Sequence, residues 1–355
     1  MTHPVRGFAR AGLACLALFV ATSGAQAQDW ATREVCEPPR IAVFDEVFAP
    51  EGAEELQRRA DQIPNSTGRF WRVTAPDGGI SYLWGTMHSS HRSVLDLPDT
   101  VLDAIKGASR VALEIDPRFP DRESHDRFMQ GADVYRPAQS SFRFADLGLP
   151  GDIEENLGNR LASLGWPRTA LDQLKFGTLA ELLLYDPCED FTGGVLPTQD
   201  SFIQTLAHIQ DIPILPLEAR NRLSNKLNTP GNEDLARAII GTYAIYLSPG
   251  ATPEARATGL GLYQQGRVGV MMAWDHAQIS AALGNEGPAL YAQMTDYLVD
   301  ERNVDFVTAA RDALEQGSLF VAVGNFHLPG DTGMIELLRA EGFTVTRIAL
   351  PGEAP

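Results

Sequence analysis

Two short stretches bring a histidine out of an apolar run in the same way. Ser81-Tyr-Leu-Trp-Gly-Thr-Met-His88 has a counterpart near the C-terminus in Phe320-Val-Ala-Val-Gly-Asn-Phe-His327, and both end in Gly-x-x-His. Each is followed by a Leu-Pro and an Asp-Thr pair (Leu97 to Thr100; Leu328 to Thr332), then by a helical pattern and another strand-like run. A buried strand that stops at a glycine presents its next polar side chain at the carboxyl edge of a sheet, where open α/β sheets keep their ligands. Two histidines presented so could meet on one metal ion, because neutral imidazole is the commonest metal ligand. The competing reading is a pair of hydrogen-bonded histidines in tight turns, and the repeated context weighs against it. His91, in a polar His-Arg-Ser loop, reads as solvent-facing; His125, His208 and His276 have no repeated context and default to structure.

Other polar residues sit where apolar ones are expected. Glu114 ends the strand-like Val111-Ala-Leu-Glu114, and Glu218 ends Ile212-Pro-Ile-Leu-Pro-Leu-Glu218. A carboxylate at the end of a buried strand is costly unless paired, bonded or bound to metal. The strand carrying Glu114 is expected beside the first Gly-x-x-His strand, which it follows in sequence. In the helical pattern Tyr297–Leu314, Val299, Phe306, Ala310 and Leu314 trace an apolar stripe. Asn303 falls on that stripe and Arg302 flanks it. Asn303 fits a loop cap, a hold on a substrate carbonyl or a ligand-orienting group; Arg302 fits a carboxylate or phosphate, or a structural pair with Glu114 or Glu218.

The elements that must position these groups alternate. Phe70–Val73 and Ile80–Trp84, split by Ala75-Pro-Asp-Gly-Gly79, read as a hairpin. Helix Thr100–Gly107 and strand Arg110–Ile115 follow, and a loop-rich stretch to Trp166 holds one amphipathic helix near Ile153–Leu164. Helices Leu171–Tyr185 and Ser201–Gln210 lead into strand Ile212–Leu217. Residues 232–315 are almost wholly helical by periodicity. Strand Leu319–Val323, helix Met334–Glu341 and strand Phe343–Ile348 close the pattern. This predicts an α/β fold: a mixed, largely parallel sheet flanked by helices, built from two strand–Gly-x-x-His–helix–strand units with a helical portion.

The N-terminus reads as a cleavable secretory signal over residues 1–27, with Arg6 and Arg10, an apolar core Ala11–Val20 and Ala25-Gln26-Ala27 as the cleavage site. Residues 28–67 form an N-terminal segment, 68–350 the α/β domain and 351–355 a tail. The apolar run is too short to span a bilayer, and no later stretch is long enough. The whole chain carries a formal charge of −17, and loss of the two signal arginines makes it more negative. So acidic a chain disfavours nucleic acid and anionic membranes as partners. Of three cysteines, Cys15 belongs to the signal core as bulk hydrophobe, and Cys36 and Cys188 form an even pair. In an exported protein that pair is expected to be a disulfide tethering the N-terminal segment. The expected location is periplasmic or secreted.

No His-Glu-x-x-His, Gly-x-Ser-x-Gly, phosphate loop or Gly-x-Gly-x-x-Gly occurs. Classical zincin, serine hydrolase, nucleotide hydrolase and Rossmann dehydrogenase readings lose support accordingly. The remaining His, Glu, Asn and Arg suit metal-assisted hydrolysis.

Over roughly residues 68–350 the chain resembles the TraB/GumN family, the group that includes the TIKI proteases and is related to erythromycin-esterase-like and ChaN-like proteins. The resemblance rests on Tyr82–His88, Leu113-Glu114, Leu174-Lys175-Phe176, Leu217-Glu218, Glu301-Arg302-Asn303 and Gly324–Gly330, in family order. The family has Pro-Trp where this chain has Phe176-Gly177, and a smaller residue at Phe326. The resemblance implies divalent-metal-dependent peptide hydrolysis, with His88, His327 and Glu114 essential and Glu218, Arg302 and Asn303 contributing.

The expected site is therefore His88 and His327, with Glu114, on one Mn²⁺-, Co²⁺- or Zn²⁺-like ion that carries a water. Glu114 or Glu218 would take the proton, and Arg302 or Asn303 would steady developing oxyanion charge or anchor the peptide or small-molecule substrate. The alternatives are a non-catalytic periplasmic protein gripping metal, haem or a small ligand, and an accessory structural role in envelope or polysaccharide assembly.

Overall fold

The computed structural model describes residues 33–116, 122–123, 126, 130–131, 134–136, 143–163, 166–183, 188, 197–245 and 252–355. The expected signal segment and His125 lie outside these residues. Six strands form one mixed sheet: β1 (Phe70–Thr74), β2 (Ile80–Thr86), β3 (Arg110–Leu113), β4 (Ile214–Pro216), β5 (Leu319–Gly324) and β6 (Thr344–Arg347). Their order across the sheet is β4-β3-β5-β2-β1-β6. The pairs β4–β3, β3–β5 and β5–β2 are parallel, and β2–β1 and β1–β6 antiparallel.

The sequence explains each position. β5 is apolar throughout and buried from Leu319 to Val323, as befits a central parallel strand covered on both faces. β6 alternates exposed and buried residues and lies at an edge. Pro213 and Pro216 deny β4 the donors of an inner strand, and it occupies the other edge. The expected neighbourhood of β3 and β2 is corrected: β5 lies between them, pairing with both. The chain crosses over one strand position after β2, and the C-terminal Gly-x-x-His strand fills the gap, so the two histidine strands become direct neighbours.

Helices cover both faces. On one side α10 (Arg302–Gln316) and α11 (Met334–Ala340) pack Phe306, Ala310, Leu314 and Met334 against Leu83, Val321 and Val323. On the other, α2 (Asp99–Lys106) and α5 (Gln199–Ile209) pack Val101, Ile105 and Ile203 against Trp84, Phe320 and Ala322. A second core joins α3 (Gly151–Ser163), α4 (Phe176–Leu183), α6 (Glu233–Ile245) and α9 (Gly287–Thr295). The segment before β1 does more than trail from a disulfide. Phe48 and, from α1 (Ala53–Ala60), Leu56 and Ala60 are buried against Leu262 of α7 (Pro253–Gln264) and Val270 and Ala273 of α8 (Val268–Ala282). Cys36 and Cys188 are bonded, with Cα atoms 5.3 Å apart. At the other end the side chain of Glu353 is fully buried against Arg69 and Arg347.

Helix boundaries differ from expectation at Leu171–Tyr185. Lys175 N donates to Val134 O, beside a bridge between Tyr135 and Leu174, so the chain is extended there and α4 starts only at Phe176. Most of the described residues in 232–315 are helical, with breaks at Gln265–Arg267 and Leu283 and a π-helical turn at Asp296–Glu301 just ahead of Arg302. Among the described residues no helix is long and apolar enough to cross a membrane.

Candidate functional site

The parallel register of β2 and β5 sets Thr86 opposite Gly324 and Gly85 opposite Val323. Gly85 therefore lies inside its strand, whereas Gly324 closes its own. A Cβ on Gly85 would stand 2.9 Å from Leu328 Cδ1 and 3.1 Å from Asn325 Cα, so the second turn can lie on the first only because Gly85 has no side chain. The space above Gly324 is equally telling. A Cβ there would lie 3.3 Å from Glu114 Oε1, 3.5 Å from His327 Cδ2 and 3.8 Å from His88 Nε2. The three side chains thus converge on one point at the carboxyl edge of three adjacent strands.

Each ring is held from behind. His327, in the 3-10 turn Asn325–His327, is buried, and its Nδ1 lies 2.7 Å from Asn303 Oδ1. Asn303 Nδ2 donates to Thr332 O at 2.9 Å, which turns Oδ1 toward the ring. The network thus assigns the His327 proton to Nδ1 and leaves a lone pair on Nε2, 3.6 Å from Glu114 Oε1. Burial pushes His327 down to about 4, with Glu114 opposing only in part, so the ring is neutral near pH 7.

His88 is the opposite case. Its Nδ1 lies 3.2 Å from Asp200 Oδ2, and Asp200 Oδ1 accepts from Thr86 Oγ1 at 2.7 Å. Asp200 pulls His88 up to about 9 against some desolvation. Yet 53% of the side chain is exposed, so solvent screens that pairing.

Glu114 and Glu218 share a cation. Arg302 Nη2 donates to Glu114 Oε2 at 2.6 Å and to Glu218 Oε1 at 2.7 Å, and Arg302 Nε reaches Glu218 Oε2 at 3.1 Å. Arg222 Nη1 adds a contact to Glu218 Oε2 at 3.2 Å. Gly324 N–H donates to Glu114 Oε1 at 2.7 Å. Burial alone would raise the Glu114 carboxyl. Arg302, His327, His88 and the Gly324 amide overcome it and hold the group well below the usual carboxylate range. The two carboxylates likewise raise Arg302 despite its burial.

All six expected residues thus fall in one place: His88, His327 and Glu114 at its centre, Glu218 and Arg302 beside Glu114, and Asn303 behind His327. Asn303 spends both ends of its amide on the protein and so acts on the ring rather than on a substrate. His91, read as solvent-facing, is instead half-buried and caps the short helix Arg92–Leu95, accepting from Ser93 N.

Sequence reading missed Asp200 and Gln199. Gln199 is fully buried; its Oε1 accepts from Tyr263 Oη at 2.7 Å, Trp84 Nε1 at 3.2 Å and Met87 N at 3.3 Å, and its Nε2 donates to Val94 O. It fixes the loop that carries His88. Both residues open α5, where Gln and Asp after a Thr look like ordinary helix-start residues.

The side chains around Gly324 that could contribute to holding a cation are His88, His327 and Glu114. Two acceptors, His327 Nε2 and Glu114 Oε1, face each other with no proton assigned between them, and His88 Nε2 approaches the same point. Among the described residues no group of three or more His, Cys, Asp or Glu side chains is placed to hold a metal ion as it stands.

A model of the TraB/PrgY/gumN family matches residues 69–347, from just before β1 to the end of β6. The chain belongs to the TraB/PrgY/gumN family. No curated protein and no solved structure matches it. The family match spans every residue of the site, Asp200 and Gln199 included, while the packed N-terminal segment and the Glu353 anchor lie outside it.

Proposed function

We propose that this TraB/PrgY/gumN protein is an exported, metal-dependent hydrolase that cleaves peptide bonds. The observation that carries the reading is the convergence of His88 Nε2, His327 and Glu114 Oε1 above Gly324. His88, His327 and Glu114 would hold a divalent ion such as Mn²⁺, Co²⁺ or Zn²⁺. When bound, such an ion supplies an acidified water and polarises the scissile carbonyl.

The chain's own residues do the rest. Asn303 and Asp200 fix the two rings with Nε2 directed inward. Glu114 is anionic and accepts a proton from the attacking water as the C–O bond forms; the proton then passes to the departing amine as the C–N bond breaks. Arg302 links the steps. While it grips Glu114 it keeps that carboxylate a weak base; drawn toward a developing oxyanion, it releases Glu114 and raises its basicity when a proton must be taken. Glu218 receives donors from both Arg302 and Arg222, so it anchors the arginine, and Glu114 is the better proton acceptor. The Cys36–Cys188 disulfide and the signal-like residues 1–27 support an oxidising destination, periplasmic or secreted.

The test is turnover of a peptide library by the purified protein before and after chelation, with Mn²⁺, Co²⁺ or Zn²⁺ added back. Cleavage that is lost on chelation and restored by one of the ions supports the reading. Saturable metal, haem or small-ligand binding without cleavage would favour the non-catalytic binding protein instead.

A further inference from the structure

The turn that carries His88 is gripped residue by residue, and one of the grips comes from outside the hydrolytic machinery. Trp84 Nε1 and Met87 N donate to Gln199 Oε1 at 3.2 and 3.3 Å. Thr86 Oγ1 donates to Asp200 Oδ1 at 2.7 Å, and Asp200 Oδ2 lies 3.2 Å from His88 Nδ1. The remaining residue, Gly85, is held from α7. Tyr263 is fully buried there, and its hydroxyl lies 2.9 Å from Gly85 O and 2.7 Å from Gln199 Oε1. One phenol proton thus serves both the backbone of β2 and the side chain that fixes the turn. Burial pushes the phenol up to about 12 against Arg69, which keeps that proton in place.

Tyr263 is itself seated on a buried ion pair. The Arg69 guanidinium stands 4.6 Å from the centre of the Tyr263 ring and 5.2 Å from that of Trp84. Its Nε donates to Glu353 Oε1 at 3.0 Å and its Nη2 to Gln264 O at 3.1 Å. Arg69 O accepts from Gly85 N–H at 2.8 Å. Gly85 is therefore held at both ends of its backbone, the N–H by Arg69 and the C=O by Tyr263. It is also the residue on which the His327 turn rests, since Leu328 and Asn325 take the space of its missing side chain. The C-terminal tail closes the assembly: the Glu353 side chain is fully buried, and Ala354 N–H donates to Gln265 O, just after α7, at 2.8 Å.

We propose that Tyr263, seated on the Arg69–Glu353 pair, is a positioning residue that sets where the His88 ring stands relative to Glu114 and His327. It acts through Gly85 and Gln199 rather than on a substrate. Its effect on turnover rests on the hydrolase reading; its effect on the turn does not.

Tyr263→Phe tests this, because it keeps the ring on Arg69 and removes only the hydroxyl. In metal-free protein labelled at histidine, the His88 ring carbon signal, assigned by its loss in His88→Ala, should move or broaden while the His327 signal stays. Amide exchange at Met87 should quicken by about tenfold or more, with Val321 and Val323 of β5 unchanged. With metal and a peptide substrate, kcat should fall by about 10–100-fold and KM should change little. Glu353→Gln leaves Arg69 without its buried countercharge and should give the same His88 signature; the Tyr263 variant decides alone should Glu353→Gln fail to fold. An unmoved His88 signal in Tyr263→Phe, a kcat equal to that of the native protein, or exchange that quickens equally at Met87 and in β5 would overturn the positioning role. An unmoved signal in folded Glu353→Gln would overturn the tail's part in it. The expected His88 signature in a protein that cleaves no peptide would sink the hydrolase reading and leave the positioning role standing.

Discussion

The turn after β5 buries its histidine within one 3-10 turn, whereas the turn after β2 runs on and leaves half of its histidine in solvent. Both are Gly-x-x-His, and the register explains the difference. Gly324 ends its strand, but Gly85 sits one step inside its own, opposite Val323. The second turn therefore folds down onto Gly85 while the first is pushed outward. Their partners differ to match: a neutral amide, Asn303, behind the buried ring, and a carboxylate, Asp200, behind the exposed one. A neutral partner suits a site where a buried charge would be costly, and an anionic partner is tolerated where water can screen it. One motif thus supplies a buried imidazole and a half-exposed one to a common point.

The largest expected effect would erase the asymmetry in activity and expose it in stability. His88→Ala and His327→Ala should each reduce kcat/KM by about 10³-fold or more, and the double variant should be hardly worse than either, because residues acting as a unit are non-additive. Unfolding by urea should separate them. His327→Ala leaves Asn303 Oδ1 without its buried partner and should cost about 1–3 kcal/mol, while His88→Ala should stay within about 0.5 kcal/mol. Equal stability losses would break the buried-versus-exposed comparison.

Glu114→Gln comes next, since Glu114 faces both rings. It preserves shape and the Gly324 N–H contact but removes the charge that balances Arg302. Activity should fall by about 10²–10⁴-fold. Metal content divides its two roles: unchanged content makes Glu114 the proton acceptor, and reduced content makes it a ligand as well.

The supporting residues should show smaller effects. Asn303→Leu and Asp200→Asn should each cost about 10–100-fold in metal affinity or activity. Asn303→Leu should be the more damaging, because its ring has no water to replace the lost partner. The reverse order would show that the exposed histidine is the more tightly specified.

The smallest effect concerns pH in chelated protein. His88 is raised to about 9 by Asp200, so its pairing contributes stability that is complete below about 6.5 and lost as pH climbs toward 9. Exposure keeps this to at most about 1 kcal/mol. Urea midpoints across that range should fall for the native protein and lose this component in Asp200→Asn.

Much of this was readable in the sequence, for identifiable reasons. Apolar runs ending at Gly85 and Gly324, and carboxylates where burial is costly, gave the site's centre. Asn303 stood out because it interrupts an apolar stripe. What the chain did not reveal depends on relations across distance. β5 lies between β2 and β3, and sequence adjacency suggested the opposite; only the folded sheet shows which strand fills a crossover gap. Asp200 and Gln199 act across the fold on the His88 loop, yet locally they resemble helix-start residues. The π turn at Asp296–Glu301 was hidden because a 3.6-residue period looks the same on either side of one inserted residue.

The central claim is that the two unlike turns serve one cation. Cobalt(II) titration of the chelated protein, followed by its visible absorption, tests it most directly. Saturation at one ion per chain in the native protein, with no saturable binding in His88→Ala or His327→Ala, is the predicted result. Equal saturation in all three proteins, or none in the native one, would contradict it.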